Sequence, residues 1–289
     1  MSEDEPADAF ALLADETRVA ILRALAESWN EAGFGAAYGL SFSELRERVG
    51  VRDSSRFNYH LQRLTGRFVR KTDEGYVFGY PGWRLARAVG RGVHEPVETE
   101  PVRFESDCYA CGADELRARY VNEWAWVTCP DCGVHVTDAR MPPEAFASRS
   151  PGELRTAIDR RTRRKVGLVL DDVCPRCLGT MEAAPEPYAW GPDELHRINY
   201  RCVDCDWEGP PSLAWHVLDH PAVVDFYADR GFDVDAEPYW HVDPIVDDDC
   251  ESVASRDPWR FEVAFPYGGD RLTVTLDGDG TAVGIDRPG

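Results

Sequence analysis

The sequence predicts an α+β chain: a small helical domain with one β-hairpin, a cysteine-rich middle and an antiparallel β-meander at the C-terminus. Three observations carry this. Helix-period apolar stripes and one hairpin fill residues 7–92. Eight of the nine cysteines form four Cys-x-x-Cys pairs between Cys108 and Cys205. From Trp259 onward, apolar and polar residues alternate with period two.

The 289 residues are enough for about two domains. Hydrophobic residues make up 43% and charged residues 29%, a globular composition with material for a core. No apolar run is long enough to span a bilayer, so no membrane partner is expected. The start, Met1-Ser2-Glu3-Asp4-Glu5, is acidic, unlike a secretory signal. A cytoplasmic location with reduced thiols is expected.

The net charge is -20, from 52 acidic and 32 basic residues. Only Lys71 and Lys165 are lysines. Many carboxylates and few lysines resemble the proteins of cells that hold molar salt, where self-repulsion is screened. The charge is uneven. Residues 101–289 carry 19 basic and 36 acidic residues, whereas residues 40–95 carry 11 and 6. A basic segment in so acidic a chain points to a polyanionic partner.

The elements follow in order. Residues 7–14 read as a short amphipathic helix. Asp15-Glu16-Thr17-Arg18 opens a second, with Val19, Ile21, Leu22 and Leu25 inward. Residues 30–40 read as a loop. Ser41 or Ser43 caps a third helix, with Phe42, Leu45 and Val49 inward and Gly50 stopping it. Asp53-Ser54-Ser55 caps a fourth, through Leu64, with Phe57, Leu61 and Leu64 inward. Residues 68–71 and 76–80 pair as a hairpin around Thr72-Asp73-Glu74-Gly75. Pro81-Gly82 breaks the chain before a helix from Trp83 to Val89. Residues 94–104 read as a linker.

This order is that of a winged helix-turn-helix. Ala14-Asp15-Glu16-Thr17-Arg18-Val19-Ala20-Ile21-Leu22 resembles the entry helix of ArsR-type transcription regulators. Asn58-Tyr59-His60-Leu61-Gln62-Arg63-Leu64 resembles the end of their recognition helix. Arg70-Lys71-Thr72-Asp73-Glu74-Gly75-Tyr76 is similar to their wing. The resemblance covers about a third of the chain. It implies double-stranded DNA as partner and a homodimer formed near Phe10 and Leu85. The metal-sensing cysteines of that family are missing from residues 42–49, which speaks against metal sensing there.

On that reading the outward side of the 54–64 helix is Ser54, Ser55, Arg56, Asn58, Tyr59 and Arg63. Arginine pairs with guanine and asparagine with adenine through two hydrogen bonds. Arg67, Arg70 and Lys71 are placed for phosphates. His60 reads as a structural hydrogen-bonding residue at the helix–wing junction rather than a DNA contact.

The cysteine pairs are Cys108/Cys111, Cys129/Cys132, Cys174/Cys177 and Cys202/Cys205. Seventeen residues separate the first two pairs and twenty-four the last two. Two residues between cysteines let both thiolates of one turn reach one ion, and two such turns complete a tetrahedron. Two structural Zn2+ sites in zinc-ribbon-like modules are expected, with first–second and third–fourth pairing favoured but not fixed by spacing. A redox dithiol and an iron–sulfur site are the alternatives. Gly112, Gly133 and Gly179 are expected at tight turns with positive φ. Residues 120–122 and 124–128 read as strands of the first ribbon; residues 198–201 and Trp207 frame the last knuckle. Cys250 stands alone.

A helix is expected from Pro151 toward Leu170. It carries Arg160, Arg161, Arg163, Arg164 and Lys165; a solvated face is preferred over a grip on nucleic acid. The aromatics of residues 206–241 are expected to cover the second ribbon rather than line an effector pocket. Trp259, Phe261, Val263 and Phe265, then Leu272, Val274 and Leu276, then Val283 and Ile285 give a three-stranded meander.

The expected division is therefore 1–95, linker 96–104, cysteine region 105–242 and meander 243–289. The expected function is DNA-binding transcription regulation with an unidentified effector. The competing class is a zinc-ribbon scaffold whose winged helix binds protein. No nucleophile elbow, phosphate loop or HExxH motif points to an enzyme.

Overall fold

The computed structural model describes residues 11–32, 39–89, 99–189 and 195–287. The chain divides into two compact units, Met1–Pro96 and Val97–Gly289, each with its own apolar core.

In the first unit, α1 (Glu16–Ala32), α2 (Phe42–Val49) and α3 (Ser54–Leu64) precede the hairpin β1 (Val69–Thr72) and β2 (Gly75–Phe78), and α4 (Tyr80–Val89) follows. The helix expected over 7–14 and the Phe10 contact lie largely outside the described residues. A reciprocal capping box between Ser41 and Glu44 starts α2. Asp53 starts α3, its Oδ1 accepting from the N–H groups of Ser55 at 2.8 Å and Arg56 at 3.0 Å. Ile21, Leu25, Leu45, Phe57, Leu61 and Leu64 are fully buried against one another. Phe42 packs edge-on to Phe57, with centroids 5.2 Å apart.

Two expectations here need correction. The α1 helix runs to Ala32, past the expected loop start at residue 30. Pro81-Gly82 lies inside the first turn of α4 instead of breaking the chain, because a first-turn proline sacrifices no helical hydrogen bond. Gly82 also packs on the backbone just before β1: a Cβ there would sit 2.0 Å from the Phe68 carbonyl oxygen. His60 is buried, and its Nδ1 lies 3.1 Å from Oδ1 of Asp15 at the head of α1, a partner that the sequence reading did not name.

The second unit holds three antiparallel sheets. The first runs β3 (Val102–Glu105), β4 (Glu115–Val121), β5 (Trp124–Thr128) and β6 (His135–Arg140) in chain order. After α5 (Pro143–Ala147), the 20-residue α6 (Pro151–Leu170) starts at a Ser150–Glu153 capping box. The second sheet is β7 (Met181–Pro187), β8 (His196–Cys202) and β9 (Glu208–Gly209). A 3-10 turn at Leu213–Val217, α7 (Pro221–Ala228) and α8 (Asp243–Val246) lead to the third sheet. That sheet is β10 (Glu251–Arg256), β11 (Trp259–Tyr267), β12 (Asp270–Asp277) and β13 (Ala282–Asp286), again in chain order.

The meander therefore has four strands, not three. Residues 102–104 pair with β4 as part of β3 rather than serving as linker. Tyr120 and Val121 are the end of a longer strand, and the chain turns at Asn122 and Glu123, both at positive φ. Val283 and Ile285 stay half exposed on the edge strand, at 50% and 43%. The aromatics Trp215, Tyr227, Tyr239 and Trp240 belong to one core shared by both cysteine regions and β11–β12. Segments 105–242 and 243–289 are thus packed around the same interior.

Candidate metal centres and candidate nucleic-acid surface

The first cysteine cluster joins the β3–β4 and β5–β6 turns. In one turn the Gly112 N–H donates to Cys108 O at 2.8 Å; in the other, Gly133 N–H donates to Cys129 O at 3.1 Å. Both glycines have positive φ, as expected. The turns face each other, with Cys108 Sγ 3.8 Å from Cys132 Sγ and Cys111 Sγ 3.6 Å from Cys129 Sγ.

The second cluster repeats this arrangement with Cys174, Cys177, Cys202 and Cys205. Its close pairs are Cys174–Cys205 at 3.6 Å and Cys177–Cys202 at 3.5 Å. The N–H groups of Arg176, Gly179 and Asp204 each point at a cysteine sulfur at 3.4 Å. One detail departs from expectation. Leu178, not Gly179, takes the positive φ. A Cβ at Gly179 would lie 2.0 Å from Asp204 Oδ2, the end of an exposed side chain that can move aside, and 3.2 Å from Cys177 Sγ.

Within each cluster all four sulfurs lie within 4.8 Å of one another. These separations are far too long for disulfides, which need about 2.05 Å. Four thiolates at about 2.3 Å around a tetrahedral ion have edges of about 3.8 Å, so the four close contacts fit a bound metal ion. The pairing is first with second and third with fourth, which spacing alone left open.

Each cluster also contains one readily ionised thiol. The Cys132 N–H, the largest influence, brings the Cys129 thiol down to about 7. Burial opposes ionisation of Cys174, but the N–H groups of Cys177 and Arg176 and the neighbouring thiols outweigh it, leaving that thiol at about 7 as well. Cys250 lies outside both clusters, and burial pushes its thiol up to about 12.

In the first unit, Ser54, Ser55, Arg56, Asn58, Tyr59 and Arg63 are all exposed on α3, while Phe57, His60, Leu61 and Leu64 form its buried side. Tyr59 is 61% exposed. Arg70 and Lys71 are exposed on β1, with the Lys71 ammonium 5.9 Å from the Tyr76 ring centroid. Arg67 is half-buried in the turn between α3 and β1.

The basic run of α6 divides into two groups. Arg163 is consumed internally, donating to Asp159 at 2.9 Å and to the carbonyls of Val234 and Glu237. Arg160, Arg161, Arg164 and Lys165 line a groove of about 590 Å³. Trp124, Arg140, Arg176 and Trp207 join them there. The sequence reading missed these four, because they come from separate segments that only tertiary packing brings together.

Among the described residues, no helix is long and apolar enough to cross a membrane. The fold and its sites define a two-unit α+β protein with two four-cysteine clusters in the second unit. The family described as Domain of unknown function (DUF7351) matches residues 105–282, and the chain belongs to it. A second description, Domain of unknown function (DUF7347), matches residues 6–89. No curated protein and no solved structure matches the chain.

Proposed function

We propose that this protein is a DNA-binding transcription regulator, with a winged helix in its first unit and a zinc-stabilised regulatory region in its second. One observation carries the reading: α3 divides cleanly into a buried apolar side and an exposed side bearing Ser54, Ser55, Arg56, Asn58, Tyr59 and Arg63. A recognition helix requires that division, since one side must hold the domain together while the other meets base edges. Exposed Arg70 and Lys71 on the adjoining hairpin supply phosphate contacts. The resemblance to ArsR-type regulators supports the same reading and a homodimer. Leu85, on α4, would be at the dimer contact.

Zn2+ is the proposed ion at both clusters. Four thiolates per ion leave no open coordination position, so the role is structural. When bound, zinc supplies cross-links between turns; Cys108, Cys111, Cys129 and Cys132 hold one ion, and Cys174, Cys177, Cys202 and Cys205 the other. A reducing cytoplasm keeps these thiols available.

Selection from a random duplex pool tests the DNA-binding reading. The native protein should enrich one sequence class, and the Arg56→Ala/Asn58→Ala/Arg63→Ala variant should not. Enrichment unchanged in the variant would overturn the assignment of α3. If neither protein enriches any sequence, the reading as a regulator fails.

A further inference from the structure

The α6 groove is a concentration of positive charge in an acidic unit. Residues 101–289 carry 19 basic and 36 acidic residues. Yet the groove is lined by Arg140, Arg160, Arg161, Arg164, Lys165 and Arg176 against a single carboxylate, Asp138. That carboxylate is already turned toward His135, 3.4 Å away. Arg160 reaches Asp159 and the Asp235 carbonyl. Arg140, Arg161, Arg164 and Lys165 form no ion pair among the described residues.

Like charges held this close repel one another. Lys165 is exposed as a residue, and partial desolvation of its ammonium brings it below the usual lysine value. Asp138 opposes this fall and Arg161 adds to it. An anion bound here would relieve the repulsion.

Two tryptophans also line the groove. Trp124 and Trp207 are both half-buried, and the Lys165 ammonium lies 5.9 Å from the Trp207 ring centroid. Indole faces beside guanidinium groups suit a flat, electron-rich ring attached to phosphate. An acidic peptide would use the charges and leave the indoles idle. The volume, about 590 Å³, is of small-ligand size. The second cysteine cluster anchors one wall: Arg176 lies between two cluster cysteines and donates from Nη1 to Cys205 O at 3.3 Å.

We propose that this groove binds a nucleotide unit, its phosphates on Arg140, Arg161 and Arg164 and its base against Trp124 and Trp207. The nucleotide is either free or an unpaired position in a single strand. This inference does not depend on how the first unit is read.

The test uses the full-length, metal-loaded protein carrying Arg56→Ala, Asn58→Ala and Arg63→Ala, so that the contribution of α3 is reduced. A short labelled single-stranded oligonucleotide is titrated by fluorescence anisotropy. An abasic strand of equal charge, ATP, inorganic triphosphate and poly-glutamate serve as competitors. The base-bearing strand or ATP should compete at least about tenfold better than the abasic strand or triphosphate, the scale of one lost base–aromatic stack.

Arg161→Ser/Arg164→Ser, at exposed positions, should keep the fold and metal content and lose about tenfold or more in affinity. Trp124→Leu should remove the advantage of base-bearing ligands. Competition by ATP identifies a free nucleotide as a source; binding restricted to the strand identifies single-stranded nucleic acid. Three results would overturn the proposal: no binding of either ligand, equal competition by triphosphate or poly-glutamate, or affinity unchanged in the arginine variant.

Discussion

Arg197 Nε donates to Glu251 Oε2 at 2.7 Å within the interior of the second unit, joining β8 to the first residue of β10. Both residues are buried. The same carboxylate accepts from the Ser212 hydroxyl at 2.5 Å and from the Leu213 N–H at 2.6 Å, and Arg197 reaches Asp248 as well. Burial pushes the Glu251 carboxyl up and works against the Arg197 charge, which its carboxylate partners more than restore. A raised carboxyl and a raised guanidinium pull opposite ways on the pair; the three close donors on Glu251 decide for the ionised form.

Breaking this pair is therefore costly. Glu251→Ala leaves a buried guanidinium without its main partner and should destabilise the second unit by about 3–5 kcal/mol. The double change Arg197→Met/Glu251→Leu should cost less than Glu251→Ala alone, because no charge is stranded. Denaturant unfolding of the two variants measures both effects. Equal loss in the two would show that packing, not charge, holds this junction.

Metal content gives a second prediction. Elemental analysis should find two zinc ions per chain, and Cys129→Ser or Cys174→Ser should reduce this toward one. Chelation should unfold the second unit, since structural zinc contributes on the order of 10 kcal/mol. Binding requires thiolates, so acidification should release the metal with uptake of protons. A second unit that keeps its fold and thermal midpoint after full chelation would contradict this.

His216 sets a pH dependence separate from the thiols. Its Nε2 is buried without a partner, its ring stacks on Tyr200, and burial lowers its pKa from 6.5 to about 4. The unfolded chain takes the proton first. The contribution to stability is thus complete above pH 6.5, declines as pH falls below that, and is exhausted near pH 4. His216→Phe, compared with the native chain over this window by thermal unfolding, should flatten the slope. An unchanged slope would assign the pH dependence elsewhere.

Salt dependence distinguishes base reading from charge attraction. The net charge of -20 and the lysine-poor composition suit a molar-salt interior. Counterion release then contributes little, and affinity must rest on base contacts and DNA shape. Duplex binding to a selected site should persist at molar KCl with a shallow slope. A steep loss of specific binding between low and molar KCl would count against it.

Much of this was legible from residue spacing, and the exceptions have physical causes. Cys-x-x-Cys is a local constraint, so all eight clustered cysteines stood out; their pairing depends on how two separate turns meet, which spacing leaves open. The strand β4 was read only at its end because Leu116 and Ala118 alternate with Glu115, Arg117 and Arg119, a weak signal with a small residue inside. The strand β10 (Glu251–Arg256) has Val253 as its one strong strand former and is held by pairing with β11 across a bulge at Val253/Ser255. The strand β7 includes Pro185 and Pro187, tolerated because β7 is at a sheet edge. The division of α3 into buried and exposed sides followed directly from helical periodicity. The α6 groove did not, because seven of its thirteen lining residues lie outside α6, five of them far from it in the chain.

The most direct test of the central claim is genome-wide occupancy of the tagged protein in its own host, beside the Arg56→Ala/Asn58→Ala/Arg63→Ala variant. The account predicts discrete promoter peaks that vanish in the variant at equal protein levels. Absence of peaks in both strains across a range of growth conditions would contradict it and leave the cysteine-cluster unit as a protein-interaction module.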